Sequence, residues 1–158
     1  MHSEKQHILM HYEKSIRWLE QLFSVTDKQW RLPIQQGKWT VAEVIEHFIP
    51  WDDFVINERM PLLLTEGSLL NGPNVQQMNA AAASSSRQQS KEHTLQALLN
   101  RRRVLLQLLD GLSDEQWQRS FRIGTSELTL YSYFAGLIAH DEHHFLQVQH
   151  VIDEIVWQ

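Results

Sequence analysis

The chain has no cysteine. Disulfides, thiolate nucleophiles and thiolate-based zinc sites are excluded together, and a reducing compartment suits the composition. No apolar run is long enough to span a bilayer. The first residues, "MHSEKQHILMHYEK", are too polar for a secretory signal. Basic residues are also in short supply: 14 Lys and Arg stand against 19 Asp and Glu, for a net charge of -5. Their one cluster is Arg101 to Arg103. A nucleic-acid binder shows a broader positive face, so this triplet is expected on the solvated side of a helix. These absences predict a cytoplasmic protein with neither a nucleic-acid nor a membrane partner.

The remainder is ordinary for a globular chain: 42% hydrophobic, 21% charged, six Gly and four Pro. Disorder would require fewer apolar residues. The 158 residues suffice for one domain, 1–158, with a real core.

Four long helices are predicted. Ile8, Tyr12, Ile16, Leu19, Leu22 and Phe23 recur at spacings of three and four and make one apolar stripe. "SVTDKQWRLPIQQGKW" breaks it, with Pro33 and Gly37 unsuited to a helix interior. Thr40 and Glu43 in "TVAE" form a capping box that opens the second helix. Pro50 lies inside that helix and Pro61 near its end. The third spans about Ser90 to Leu109, ended by Gly111. Ser113 opens a short extra helix through Trp117; "FRIGTSELTL" turns at Gly124; the fourth long helix begins near Thr129. No strand pattern competes, although "RSFRI" suits a little extended structure. No internal repeat at a fixed period is visible.

Residues Gly67 to Arg87 hold few core-forming side chains beyond Leu69, Leu70, Val75 and Met78. A connection this long is either a functional lid or a surface excursion with a short helix at "NVQQMNAAAA". Four amphipathic helices with one long connection predict an all-α four-helix bundle.

Histidine is what the chain has in excess: nine residues, four of them in "LIAHDEHHFLQVQH", Leu137 to His150. At about 100° per residue, His140 and His144 lie on or beside the apolar stripe, His143 turns outward, and Asp141 points at the core. An i, i+4 pair can meet one cation, but a firm site needs a third ligand from another helix. His47, on the edge of the second helix's apolar arc, is the natural candidate, and His93 a weaker one. His2, His7 and His11 stand among polar neighbours and are expected to be exposed, and His150 lies outside the stripe. The residues alone leave a second reading open: a satisfied polar network, with Asp141 paired to a basic residue on another helix.

"GKWTVAEVIEHF" (Gly37 to Phe48) and "LIAHDEHHFLQVQ" (Leu137 to Gln149) resemble the two signature stretches of the DinB/YfiT-like superfamily of four-helix bundles. The resemblance implies a metal triad of His47, His140 and His144 on a divalent ion, zinc or nickel, with a coordination position left for water or substrate. It further implies a homodimer. The implied activity is that of a metal-dependent hydrolase, or of a transferase using a low-molecular-weight thiol and a small-molecule substrate. The alternative is a non-catalytic, stress-associated bundle dimer whose metal is structural or adventitious. Trp39 as a pocket wall, Gln147 as the family's glutamine, and Asp141 or Glu43 as orienting groups complete the expected site.

Overall fold

A computed structural model describes residues 3–63, 65, 68–69 and 71–158. Its elements are α1 (Ser3–Gln21), α2 (Asp27–Trp30), α3 (Val41–Phe54), β1 (Ser68–Leu69), α4 (Val75–Ser86), α5 (Lys91–Asp110), α6 (Asp114–Trp117), β2 (Ser120–Ile123), β3 (Ser126–Thr129) and α7 (Leu130–Val151). A 3-10 turn, Leu22–Ser24, follows α1, and a π-helical turn, Val55–Arg59, follows α3. Helices α1, α3, α5 and α7 form the four-helix bundle. No helix among the described residues is long and apolar enough to cross a membrane.

The apolar stripes close on two core clusters. One gathers Trp18, Val44, Phe48, Leu98, Leu99, Phe145 and Val148. The other gathers Ile8, Tyr12, Val55, Leu105, Leu109, Phe134 and Ile138. Helices α3 and α5 start in the first cluster and end in the second, whereas α1 and α7 run from the second to the first. Hence α3 and α5 are parallel to one another and antiparallel to α1 and α7. Parallel neighbours need long connections, and here α4 bridges α3 to α5 and packs along α3.

The two halves of the chain carry the same end-fittings. Buried Lys5 donates to the carbonyls of Asp110 (2.8 Å) and Leu112 (2.6 Å) where α5 ends. Buried Lys91 donates to Phe23 (2.8 Å) and Val25 (2.5 Å) where α1 ends. Cations there satisfy carbonyls that have no intrahelical partner. Thr26 with Gln29, and Ser113 with Gln116, then form matching capping boxes that open α2 and α6. Each short helix buries its tryptophan, Trp30 or Trp117. The expectation of no repeat is therefore corrected. The correspondence lies in caps and polar fittings, not in the apolar stripes that periodicity reads.

Extended structure exceeds the expectation slightly. Strands β2 and β3 form a hairpin through Gly124 (φ +60°), and β1 adds in parallel to β2. The positive φ at Gly124 is a conformation that other residues rarely adopt, and a Cβ there would also lie 2.9 Å from Asn71 Oδ1, so the turn favours glycine. The long connection resolves as a 12-residue helix, α4, capped by Asn74 and burying Ala82, Ala83 and Ser86. Its expected residues Gly67 and Leu70, like His2, lie outside the described residues.

Arg102 corrects a second expectation. It is not on the solvated side of α5 but 1% exposed, between the two apolar clusters. Its Nε and Nη2 donate to Asp52 of α3 at 2.8 and 3.3 Å. Its Nη1 and Nη2 donate to Asp141 of α7, the latter at 3.1 Å. Asp141 Oδ2 also pairs at 2.8 Å with His11 Nε2 of α1. His11 is thus buried, contrary to its expected exposure. Every long helix contributes one residue to this polar layer. Arg101, by contrast, is half-exposed and pairs with Asp53 at 2.9 Å.

Removing one member of a buried ion cluster strands the others without compensation. Arg102→Ala is expected to cost about 3–5 kcal/mol in urea unfolding. Arg87→Ala breaks an exposed pair with Glu43 and is expected to cost less than about 1 kcal/mol. Comparable costs for the two would contradict the assignment.

Candidate metal centre

The site begins with the start of α3. Thr40 Oγ1 accepts from the Glu43 amide at 3.2 Å, and the Glu43 carboxylate accepts from the Thr40 amide at 3.3 Å. This box fixes where the helix starts and so where His47 falls, two turns in, at 1% exposure. Its Nδ1 hydrogen-bonds to the Val44 carbonyl. That partner only accepts, so Nδ1 carries the proton and Nε2 presents a lone pair. The Trp39 and Phe48 rings stand 5.2 and 4.4 Å from the His47 ring.

His140 and His144, one turn apart on α7, face this lone pair. Their ring centroids are 4.6 Å apart, and they lie 5.2 and 4.6 Å from that of His47. His144 Nδ1 donates to Gln147 Oε1 at 2.7 Å, which leaves its Nε2 as an acceptor too. The Nε2 atoms of His47 and His140 are 3.4 Å apart. One nitrogen from each of the three rings lies within 4.8 Å of the others.

This donor set fits a divalent ion. Ligand nitrogens about 2.0–2.1 Å from a tetrahedral centre lie roughly 3.3 Å from each other, close to the His47–His140 spacing. Imidazole donors suit zinc, nickel, copper and iron, and protein–imidazole bonds to Val44 and Gln147 are the outer contacts that hold such rings in orientation. Among the described residues, no other group of His, Asp or Glu has this convergence, and no fourth such side chain joins this one.

The other sequence expectations divide. His143 and His150 are exposed on the outer face of α7, and His7 and His93 are exposed elsewhere. Trp39 packs on His47 and lines an open cleft of about 540 Å³ with Glu43, His144 and Gln147. Gln147 orients a ligand, but the carboxylates expected to do so are engaged elsewhere. Asp141 holds Arg102 and His11, and Glu43 serves Thr40 and Arg87. On the other side, His140 borders a cleft of about 460 Å³ together with Phe48, Trp51 and Leu137. Exposure therefore rises from buried His47 through half-buried His144 to exposed His140.

Burial sets the electrostatics. Loss of solvation lowers His47 to about 3, against the opposing bond to Val44. His140 and His144 are also lowered, chiefly by lost solvation. All three rings are thus neutral, as ligands must be. In the polar layer beneath, one guanidinium faces two carboxylates. Burial pushes Asp52 up to about 7 despite Arg102. Burial acts on Asp141 in the same sense, but Arg102 and the His11 bond outweigh it and hold Asp141 at about 2.

A model of the DinB superfamily matches residues 11–148. The chain belongs to the DinB superfamily. Among solved structures it is similar to YfiT from Bacillus subtilis, described as a probable metal-dependent hydrolase with an unusual four-helix bundle topology. The TM-score is 0.80 at 22% identity, over 100% of this chain and 91% of that one. At that identity the likeness establishes the fold. No protein of curated function matches the chain.

The two shifted groups pull stability in opposite directions with pH. His47 resists a proton that the unfolded chain accepts near 6.5, so the metal-free fold loses stability as pH falls from there toward 3. Asp52 takes its proton near 7 when folded and near 3.8 when unfolded, so it adds stability as pH falls across that window. Asp52→Asn removes the second effect. In chelated protein its unfolding free energy is expected to fall more steeply than wild type between about pH 6.5 and 4. A parallel profile would contradict the raised Asp52.

Proposed function

We propose that this chain is a metal-dependent enzyme in which His47, His140 and His144 hold a divalent ion, zinc or nickel. The observation that carries the reading is the convergence of three neutral imidazoles, one of them exposed beside a cleft. A closed structural site completes its shell with protein ligands, whereas a reactive one leaves a position open. The three-ligand group, with no fourth side chain among the described residues, supports the reactive reading over a structural metal. The description of YfiT as a probable metal-dependent hydrolase supports it too.

When bound, such an ion lowers the pKa of water or of a low-molecular-weight thiol and so supplies a nucleophile near neutral pH. The reaction is hydrolysis of a small molecule or transfer of a thiol to one. In a chain without cysteine, the sulfur of a transfer comes from the cosubstrate. The protein's own groups do the rest. The Val44 carbonyl and Gln147 fix the His47 and His144 rings. Phe48 and Trp39 pack against the rings and keep water from their buried side. The reading places the protein in the cytoplasm as a homodimer.

The test uses protein made without a histidine tag. Wild type is expected to bind about one divalent ion per chain by elemental analysis, with affinity lost by more than about tenfold in His47→Ala and His140→Ala. Gln147→Leu is expected to weaken binding by roughly 10- to 100-fold, while His93→Ala leaves it unchanged. Loaded protein is then screened on esters and amides, and on cellular thiols with electrophiles. Activity lost on chelation and restored by metal is the expected result. Metal retained in both alanine variants would overturn the site.

A further inference from the structure

One buried carboxylate is only half satisfied. Glu46 of α3 is 6% exposed. It precedes His47 in sequence but stands about 100° round the helix from it, on the side of α4 and α5. Its Oε1 accepts from the Ser85 hydroxyl of α4 at 3.2 Å. Its Oε2 is buried with no hydrogen-bond partner. Buried polar atoms nearly always find partners, and one left without costs stability. Local violations of this kind concentrate where a chain trades stability for function.

Glu46 lies in the wall of a groove of about 780 Å³ between α3, α4 and α5. Phe23, Ile49 and Ala97 give the groove apolar surface, and Ser85, Gln96 and Asn100 give it hydroxyl and amide groups. Its other acidic and basic side chains are engaged. Arg101 holds Asp53 at 2.9 Å, and Glu92 stands 3.8 Å from Lys91. Among the described lining residues, Glu46 is the carboxylate with an empty oxygen.

The chemistry that would fill it is narrow. A metal ion needs several converging ligands, and Glu46 belongs to no group of three among the described residues. A primary ammonium has three N–H donors and no acceptor. One donor serves Glu46, and the others suit neighbouring hydroxyl and amide oxygens. An alkyl stem on the same ammonium covers apolar surface while its head keeps polar partners.

We propose that this groove binds a primary aliphatic amine in its ammonium form, the head on Glu46 and the chain over Phe23, Ile49 and Ala97. Because Oε2 is closed to solvent, the carboxylate turns toward the groove as the amine enters, about a terminal torsion that is broad and soft. None of this rests on the proposed metal chemistry.

The probes are n-pentylammonium chloride and its neutral counterpart 1-pentanol, titrated into the protein as purified and again after chelation and followed by chemical-shift mapping. The ammonium is expected to bind at least about tenfold more tightly than the alcohol in both preparations. It is expected to move the Ser85 amide and the Gln96 and Asn100 side-chain amide signals. Glu46→Gln is expected to remove the preference and leave the alcohol's affinity unchanged. Ala97→Trp is expected to weaken both. Thermal melting without amine supplies a readout that a structural role would move the other way. Glu46→Gln is expected to melt no lower than wild type, because it relieves a half-satisfied buried charge, and amine is expected to raise the midpoint of wild type alone. Equal affinities, no binding of either probe, a preference kept in Glu46→Gln, or shifts mapped elsewhere would each overturn the proposal. A Glu46→Gln protein that melts lower or fails to fold also overturns it, because the fold itself then uses the carboxylate. So does ammonium binding that vanishes on chelation, because the amine then sits on the ion. If the protein holds no metal but the amine still binds through Glu46, the metal reading fails and this one stands.

Discussion

A single guanidinium, Arg102, is hydrogen-bonded to two of the other three long helices and, through Asp141, to the third. Burying such charges is expensive and often adds nothing net to stability over an apolar core. What it adds is discrimination. Leucines and phenylalanines on neighbouring helices interdigitate tolerably in several registers, whereas a forked cation between two carboxylates is satisfied in one. Asp52 and Asp141 lie on α3 and α7, the helices that carry the three imidazoles. Asp141 of that contact lies within one turn of His140 and His144, and Asp52 lies about one and a half turns from His47.

The metal centre is built outward from that layer. His47 is the anchored member, deep against Phe48 and Trp39, with its proton committed to its own helix. His144 is oriented by Gln147 one turn along. His140, next in sequence to Asp141, is the ring that meets solvent and the apolar cleft. A rigid, dry side and an open side around the same nitrogens are what a site needs to hold an ion and still admit a substrate. The parallel placement of α3 and α5 matters as well, because the crossover it requires carries α4 past the mouth of the cleft.

Much of this was legible in the residues. The 3.6-residue period located all four long helices, the capping boxes at Thr40 and Ser113 marked element starts, and a helical wheel separated His140 and His144 from His143. The wheel also turned Asp141 inward. The failures share a cause. Arg102 falls on the same stripe as Leu95, Leu98, Leu99, Leu105 and Leu109, and His11 stands beside Ile8 and Tyr12. Both positions were readable as inward. Reading by residue type, which sends charges and lone polar rings to the surface, took precedence over position. The orienting groups were missed for a different reason. A backbone carbonyl such as that of Val44 has no signature in sequence, and a carboxylate near a ligand histidine is a plausible partner until a stronger cation claims it. The repeated end-fittings escaped because lysine-to-carbonyl contacts join residues more than sixty positions apart.

The convergence of three imidazoles from two helices on one ion is the claim on which the functional account stands. X-ray absorption at the metal edge of zinc- or nickel-loaded protein tests it most directly. The account predicts three nitrogen ligands with imidazole outer-shell scattering, at about 2.0–2.1 Å for zinc, plus an exchangeable oxygen ligand from water. It also predicts one imidazole fewer in His47→Ala. A spectrum with one imidazole or none, or one unchanged by that substitution, would contradict it.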